Sequence, residues 1–322
     1  MKSFASLLTC FALLSPAAAA PAVSDYPQRA VTILVPYPAG GSADALIRPI
    51  AARLAETWKQ PVLVENRTGA NGIIATQALM KAPADGYTVL LHLTGIVQNL
   101  SLYRQLPYDP FRDLAPLTQV GTQAMALAVP ADSPWRSVDE LAAAVRANPQ
   151  AFSYGSFGTG STGHIYGELL RTRFGAEIPH VPYRGEGPML VDLISGRVPF
   201  ALVSTYTGSQ RQRDGSLRIL AVTGTHREPM LEDVPTLAEA GYPGFDLVGW
   251  YGLFVPAGTP AAIGERIAAD VNRIAREPEI AERMRALAIY PTGMAPSAFV
   301  DLLREEHQKW DALIRQFNIT LE

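Results

Sequence analysis

Two glycine-rich turns, each placed between an apolar run and a helix-like pattern, constrain the fold of this chain most. Residues 36–44 read Pro-Tyr-Pro-Ala-Gly-Gly-Ser-Ala-Asp, and residues 155–164 read Gly-Ser-Phe-Gly-Thr-Gly-Ser-Thr-Gly-His. A strand that turns through glycines into a helix presents unpaired backbone N–H groups at the positive end of the helix dipole. Each turn is therefore a candidate anion site. Their separation of about 120 residues predicts two domains that hold one ligand between them.

The N-terminus has the pattern of a secretory signal peptide, which we predict over residues 1–22. Lys2 supplies a positive charge, residues 4–14 form a short apolar run, and residues 15–20 are small enough for cleavage. No later stretch reaches the roughly 18 apolar residues that a transmembrane helix needs, so we expect an exported, soluble protein. The only cysteine, Cys10, lies within this leader. Lipid attachment at Cys10 is the alternative interpretation.

Composition argues against several classes of partner. The chain of 322 residues carries a net charge of −3, with 48% hydrophobic and 18% charged residues, so there is no basic excess to hold nucleic acid or an anionic membrane. The five histidines lack the H-E-x-x-H spacing of a metal site. We predict neither a metal nor a cofactor.

Short β-rich runs alternate with helical patterns, which predicts an α/β fold. Strands at residues 31–35, 62–65 and 88–93, with helices at 42–58 and 71–81, form a βαβαβ unit with a parallel sheet. A second α/β unit follows, with strands at 152–154, 180–183, 198–203 and 217–222 and helices at 138–147, 162–174 and 188–195. We predict a capping box at 236–239, a strand near 247–255 and helices from 260 to 317 that pack on the first domain.

These elements predict two domains with a cleft between them. Domain 1 is predicted to be discontinuous, over residues 23–122 and 226–322, and domain 2 to span residues 123–225. Ligands of open α/β sheets bind at the carboxyl ends of the strands, where both turns lie. If these edges face each other, donors from both domains converge on one anion, and closure about a hinge strengthens each hydrogen bond.

Short motifs in a fixed order connect the chain with a known family. They are Tyr-Pro at 26–27, Val-Pro-Tyr-Pro-Ala-Gly-Gly at 35–41, Val-Glu-Asn-Arg at 64–67, Ala-Asp-Gly-Tyr at 84–87, Leu-Pro-Tyr-Asp-Pro at 106–110, His-Val-Pro-Tyr at 180–183, Asp-Val-Pro-Thr at 233–236 and Pro-Ala-Gly-Thr-Pro at 256–260. As an ordered set they resemble the periplasmic solute-binding proteins of tripartite tricarboxylate transporters, the Bug or TctC-like family. The resemblance implies a periplasmic binding protein type II-like clamshell of two α/β domains joined by a hinge. It implies a periplasmic protein, which we expect to be a monomer, that captures a carboxylate and delivers it to permease subunits of TctA and TctB type.

The resemblance places the carboxylate on the two turns, which hold it through amides, hydroxyls and ordered water. The implied binding residues are Tyr37, Ala39, Gly40, Gly41, Ser42 and Asp44 in the first turn and Ser156, Phe157, Gly158, Thr159, Gly160, Ser161 and His164 in the second. The simpler alternative is that the glycines only permit tight turns. We expect Asp44 to cap its helix or to hold a bridging water. His164 is either a donor to the ligand or an ordinary structural histidine.

The far end of the ligand is expected near a second group of residues. These are His92, Thr94, Ser204, Thr205, Trp250 and Tyr251. Many relatives carry an Asp at the position of Ser204, and the loss of that carboxylate argues against an amino-acid ligand whose ammonium needs a counter-charge. Trp250 forms an apolar wall for an aromatic acid or packs in the core. The ligand is predicted to be a di- or tricarboxylate or an aromatic carboxylate.

Two other functions are alternatives to binding and transport. Residues 158–163 fit the dinucleotide pattern G-x-G-x-x-G, but no acidic residue closes the strand at 180–183, and no G-x-S-x-G elbow is present. We therefore expect a binding protein and not an enzyme. A signalling role, in which a membrane sensor kinase reads the closed form, needs the same clamshell and stays open.

Overall fold

The structure, a computed structural model, describes residues 26–321, and the predicted leader with Cys10 lies outside the described residues. The strands are β1 (Val31–Val35), β2 (Val62–Asn66), β3 (Thr88–Leu93), β4 (Leu114–Gln123), β5 (Met125–Pro130), β6 (Tyr154–Ser156), β7 (His180–Pro182), β8 (Phe200–Ser204), β9 (Leu217–Val222), β10 (Gly249–Pro256) and β11 (Tyr290–Pro291). The helices are α1 (Ser42–Trp58), α2 (Ile73–Met80), α3 (Gly95–Leu102), α4 (Val138–Ala147), α5 (Thr162–Phe174), α6 (Glu186–Ile194), α7 (Thr205–Arg213), α8 (Ala261–Ala275), α9 (Pro278–Ala286) and α10 (Pro296–Gln316).

The first lobe is built on a six-stranded sheet with the strand order β11-β4-β10-β3-β1-β2. Strand β1 pairs in parallel with β2 and β3, and β10 pairs antiparallel with β3 and β4. Strand β1 is buried along nearly its whole length because helices cover both faces of the sheet. Helices α1, α8 and α9 pack on one face, and α2, α3 and α10 pack on the other.

The second lobe is built on a five-stranded sheet with the strand order β7-β6-β8-β5-β9. Strand β6 is parallel to β7 and β8, so the carboxyl ends of these three strands lie at one edge of the sheet. Helices α4 and α5 cover one face, and α6 covers the other. The loop that follows β6 therefore starts between two other strand ends.

The chain crosses between the lobes twice, and threonines fix the first crossing. It passes from β4 to β5 at Ala124 and returns between β9 and β10. The carbonyl of Ala124 accepts hydrogen bonds from the amide and hydroxyl of Thr205, at 3.2 and 3.1 Å. The hydroxyl of Thr223 accepts from the amide of Met125 at 3.0 Å. These bonds hold the crossing at the edge of the second sheet.

The segment after β9 packs on the second lobe. The second lobe therefore extends beyond residue 226, where the sequence predicts the domain boundary. Thr236 pairs with Val222 in an isolated bridge, and the hydroxyl of Tyr242 donates to Asp139 on α4 at 2.8 Å. The capping box at Thr236 forms, since its hydroxyl and Glu239 each accept the other residue's amide at 3.0 and 2.8 Å. Residues 237–241, directly after the capping box begins, form turns and not a helix.

The C-terminal part of the chain packs on the first lobe and is divided into three helices. Helices α8, α9 and α10 are separated by the short strand β11, which joins the first sheet beside β4. Helix α10 lies along α3 and also reaches the second lobe, where the Trp310 and Tyr166 rings are 5.2 Å apart. None of the helices between residues 26 and 321 is long and apolar enough to cross a membrane.

Candidate functional site

The first predicted loop connects β1 to α1, and its conformation is fixed by Asp44. The amide of Gly40 donates to Asp44 Oδ2 at 3.0 Å, and Gly40 has a φ of +81° that favours glycine. Asn66, at the end of the neighbouring strand β2, donates to Asp44 Oδ1 and to the carbonyl of Tyr37, both at 3.0 Å. Asp44 therefore caps the turn in front of α1, and Asn66 ties this turn to the sheet.

Asp44 is a buried carboxylate that is compensated within the lobe. Its exposed fraction is 4%, and Arg48, one helical turn later, approaches it to 2.8 Å. The hydrogen bond from Arg48, with the amide of Gly40 and the side chain of Asn66, lowers the pKa of Asp44 to about 2 against the opposing effect of burial. The carboxylate is thus ionised at neutral pH, and Arg48 neutralises it.

The second predicted loop connects β6 to α5 and is built in the same way. The amide of Gly160, with a φ of +76°, donates to His164 Nδ1 at 3.0 Å. Ser161 is the N-cap of α5, and its hydroxyl lies 2.6 Å from the carbonyl of Gly158. Ser156 Oγ lies 2.7 Å from Nε2 of His180, at the start of the neighbouring strand β7. A strand neighbour thus supports each loop.

Both loops therefore contain one local device. In each, a glycine with positive φ precedes the N-cap, and its amide is held by the side chain four residues later, Asp44 or His164. The amides of a first helical turn generally have no partner within the helix. In the second loop the amide of His164 is an exception, because it is bonded to Ser161. Each lobe therefore contains the predicted local arrangement, a glycine turn that leads from a strand into a helix N-terminus.

A stack of rings supports the second loop from behind. His164 lies on His180 with centroids 3.9 Å apart and an interplanar angle of 8°, and His180 lies on Tyr154 at 4.9 Å. Burial and the neighbouring His164 lower the pKa of His180 to about 4, and burial also lowers the pKa of His164. Both rings are therefore neutral at pH 7. Because Nδ1 of His164 accepts the bond from Gly160, its proton lies on Nε2.

Tyr251 joins the first loop to the sheet of the first lobe. Its hydroxyl lies 3.0 Å from Ser42 Oγ, at the first position of α1, and 2.9 Å from Gln123 Oε1. Tyr251 is 2% exposed. Its hydroxyl thus reaches the first loop while its ring packs in the core.

Several of the residues expected at the cleft lie in the interior or at the interlobe crossing, among them Trp250, Thr205 and His92. Trp250 is 1% exposed, and its indole donates to Glu306 at 2.6 Å, so its ring packs in the core and forms no wall of an open cleft. Thr205 is buried because its hydroxyl binds the crossing at Ala124. His92 is fully buried, and burial lowers its pKa to about 4. Its Nε2 has no hydrogen-bond partner among the described residues.

A carboxylate that sequence reasoning missed stands beside Ser204. Glu186 Oε1 accepts the amide of Ser204 at 2.6 Å, and Oε2 lies 3.3 Å from Ser204 Oγ and 3.0 Å from Thr207 Oγ1. The expectation of no negative charge at this place is therefore wrong. Helix α6 begins at Glu186, two residues earlier than predicted, and this early turn brings the side chain to the end of β8. An acidic residue two positions before the predicted helix was the available signal.

The second loop also touches the first lobe directly. Gln98 Nε2 on α3 donates to Thr162 Oγ1 at 3.1 Å. A Cβ atom added at Gly160 would lie 2.9 Å from Leu321 and 3.1 Å from Leu102. Two cavities in the described chain involve neither loop. One, of about 300 Å³, lies beside Glu65 and Lys81, and the other, of about 500 Å³, lies beside Trp135 and Phe152.

Comparisons with known proteins agree with this architecture. The model of the TctC family, the tripartite tricarboxylate transporter family receptor, matches residues 46–319. The chain is 39% identical over 295 residues to the UPF0065 protein in the tcbD–tcbE intergenic region of Pseudomonas sp. strain P51. This match covers 91% of this chain and 88% of that protein.

Solved structures show the same fold. R. palustris Rpa4515 with adipate is 36% identical with a TM-score of 0.84, and the match covers 92% of this chain and all of that one. The periplasmic binding protein BugD is 30% identical with a TM-score of 0.81 over the same shares. The predicted α/β clamshell class is confirmed, and the family is one of solute-binding proteins and not of enzymes. The ordered motifs, the two lobes and the match over residues 46–319 show that this chain belongs to the TctC, or Bug, family of tripartite tricarboxylate transporter receptors.

Proposed function

We propose that this chain is a periplasmic solute-binding protein that holds a small organic acid by one carboxylate between its two loops. The family is a transporter receptor family, a relative of 36% identity has been solved with adipate, and BugD is a periplasmic protein. We propose further that the loaded, closed form delivers the acid to a permease with subunits of TctA and TctB type.

The observation that supports this proposal best is the common construction of the two loops. Each places a helix N-terminus behind a positive-φ glycine whose own amide is already bonded, to Asp44 or to His164. The remaining amides of the first turns, with the hydroxyl of Ser42, are the donors for the carboxylate. Such oriented groups bind anions without reorganising.

The charges around the loops indicate binding by dipoles and not by an ion pair. Within the described loops and their supports, Arg48 is paired with Asp44, and both His164 and His180 are neutral at pH 7. An ion pair between exposed charges weakens with salt, whereas buried amide contacts are screened much less. We therefore expect the affinity for the acid to change little between low and moderate salt.

A thermal-shift screen of the mature chain against organic acids tests the proposal. A ligand at 100 times its dissociation constant stabilises a protein by about 2.7 kcal/mol. The variant Gly40→Leu should abolish this shift. Gly40 has a φ of +81°, which leucine rarely adopts, and nothing lies within 4 Å of an added Cβ, so the leucine side chain would occupy the space beside the loop where the acid is proposed to bind.

Gly215→Leu is the matched control. Gly215 has a φ of +77°, and nothing lies within 4 Å of an added Cβ, so its backbone strain equals that at Gly40 while it lies outside both loops. Both variants should lose similar intrinsic stability, and only Gly40→Leu should lose the response to acids. An unchanged response in Gly40→Leu, or the absence of binding by any acid, would refute the proposed site.

A further inference from the structure

The position of Glu186 bears on which acid the cleft accepts. Glu186 follows β7, yet its carboxylate reaches Ser204 at the end of β8. Strand β6 lies between β7 and β8, so the side chain crosses the edge where the second loop starts. The amide of Gly185 donates to the carbonyl of Phe157 in that loop at 3.2 Å. The carboxylate is thus placed at the binding edge of the second lobe.

Glu186 lies beside the crossing between the lobes. Its carboxylate accepts the amide of Ser204, and the hydroxyl of the next residue, Thr205, donates to the carbonyl of Ala124. Gln123, which precedes Ala124, lies 2.9 Å from the Tyr251 hydroxyl. Burial raises the pKa of this hydroxyl to about 12, the hydrogen bond with Ser42 opposes the shift, and the charge of Glu186 adds to it. That hydroxyl lies 3.0 Å from Ser42 in the first loop. A solute held between the loops therefore lies in the field of this carboxylate.

The carboxylate already occupies the donors that a second carboxylate of a solute would use at this edge. It accepts the Ser204 amide and lies within hydrogen-bond distance of the hydroxyls of Ser204 and Thr207. A distal carboxylate would meet like charge and satisfied donors, which disfavours it. A carboxylate has about four acceptor positions, so one remains for an ammonium or hydroxyl donor.

We propose that Glu186 determines specificity, and that the solute carries a hydrogen-bond donor, an ammonium or a hydroxyl, at the end opposite its bound carboxylate. The inference rests on the proposed function, since it assumes that the loops hold the first carboxylate. It reverses the expectation drawn from Ser204 alone, because Glu186, at the start of α6, supplies the missing counter-charge.

Matched ligand series test it by calorimetry on the mature protein. For chains of four, five and six carbons, the diacid is compared with the ω-amino acid and the ω-hydroxy acid, as in adipate, 6-aminohexanoate and 6-hydroxyhexanoate. At the chain length that binds best, we expect the donor-bearing acids to bind at least tenfold more tightly than the diacid. Glu186→Gln should reduce or reverse this ratio, because the amide keeps the shape and removes the charge.

Glu177→Gln is the control, since it removes the same charge from the second lobe at a side chain that is 92% exposed. It should keep the wild-type preference, and the melting temperatures of both variants report that they fold. A diacid preferred by the wild type, or a ratio unchanged in Glu186→Gln, would overturn this inference and leave the loops as the carboxylate site. Failure of every acid to bind would overturn the proposed function and this inference together.

Discussion

The variant Asp44→Asn tests how the first loop is held in its conformation. The carboxylate accepts the amide of Gly40 and the side chains of Arg48 and Asn66, and it is almost fully buried. Asparagine keeps the shape and one acceptor oxygen but removes the charge. Its amide nitrogen then faces a donor of Arg48 or Asn66, so at least one of these bonds is lost.

The expected loss of stability follows from the pKa of Asp44. Lowering it from 3.8 to about 2 corresponds to about 2 kcal/mol. Arg48 is 48% exposed, and solvent screening makes this an upper bound, so we expect about 1–2 kcal/mol at pH 7. Because the folded pKa lies below the unfolded one, the contribution is complete above about pH 5. It is lost as the pH falls toward 2, and about half should remain at pH 3.

Urea unfolding of the wild type and the variant at pH 7, 5 and 3 measures this difference. Asp301→Asn, at an exposed position of α10, is the control for the loss of one negative charge. The difference between wild type and Asp44→Asn should be constant from pH 7 to 5 and smaller at pH 3. Equal stability of Asp44→Asn and Asp301→Asn at pH 7, or a difference that does not shrink in acid, would refute the role assigned to Asp44.

Two further predictions concern the second loop. Gly160→Val places a β-branched residue at a φ of +76° with its Cβ 2.9 Å from Leu321. We expect the free energy of unfolding, measured in urea, to fall by about 2 kcal/mol or more. Wild-type stability of this variant would contradict the packing between the loop and the first lobe. The pKa of His180 is lowered to about 4, so the unfolded chain takes up the proton first and the free energy of unfolding should fall as the pH decreases from about 6.5 to 4. His180→Gln keeps a partner for Ser156 and should flatten this part of the curve, whereas an unchanged slope would show that His180 does not cause it.

The strands and helices beside the glycine turns could be predicted from the sequence because their signals are local. The bounds of β1, β3, α1 and α5 agree with the predictions, since apolar runs end at glycines and helices begin there. Helix α7 was missed because it reads Thr-Tyr-Thr-Gly-Ser-Gln-Arg-Gln-Arg and has no apolar stripe. It is held by its N-cap Ser204 and by Glu186, and neither contact leaves a periodic pattern.

The candidate site also has features that local sequence patterns predict and features that depend on the fold. The two loops follow from glycine patterns within one segment. Asp44, expected to cap α1 or to hold a water, instead accepts the amide of Gly40, which precedes the N-cap Gly41. The supports, Asn66 for the first loop and His180 for the second, come from the ends of neighbouring strands. Such partners depend on strand order, which a single sequence does not specify. Trp250 was placed at the cleft by its chain position, and its burial against Glu306 results from packing that only the fold supplies.

The contact between Glu186 and Ser204 follows from the geometry of parallel strands. Neighbouring strands lie about 4.8 Å apart, so β7 and β8, on either side of β6, are about 10 Å apart. A first helical turn and a Glu side chain span this distance, because both loops leave from the same edge. A carboxylate that lies 18 residues earlier in the sequence can therefore lie beside Ser204. Selectivity in this sheet should follow the total charge at the edge of β6, β7 and β8, whichever strand supplies it.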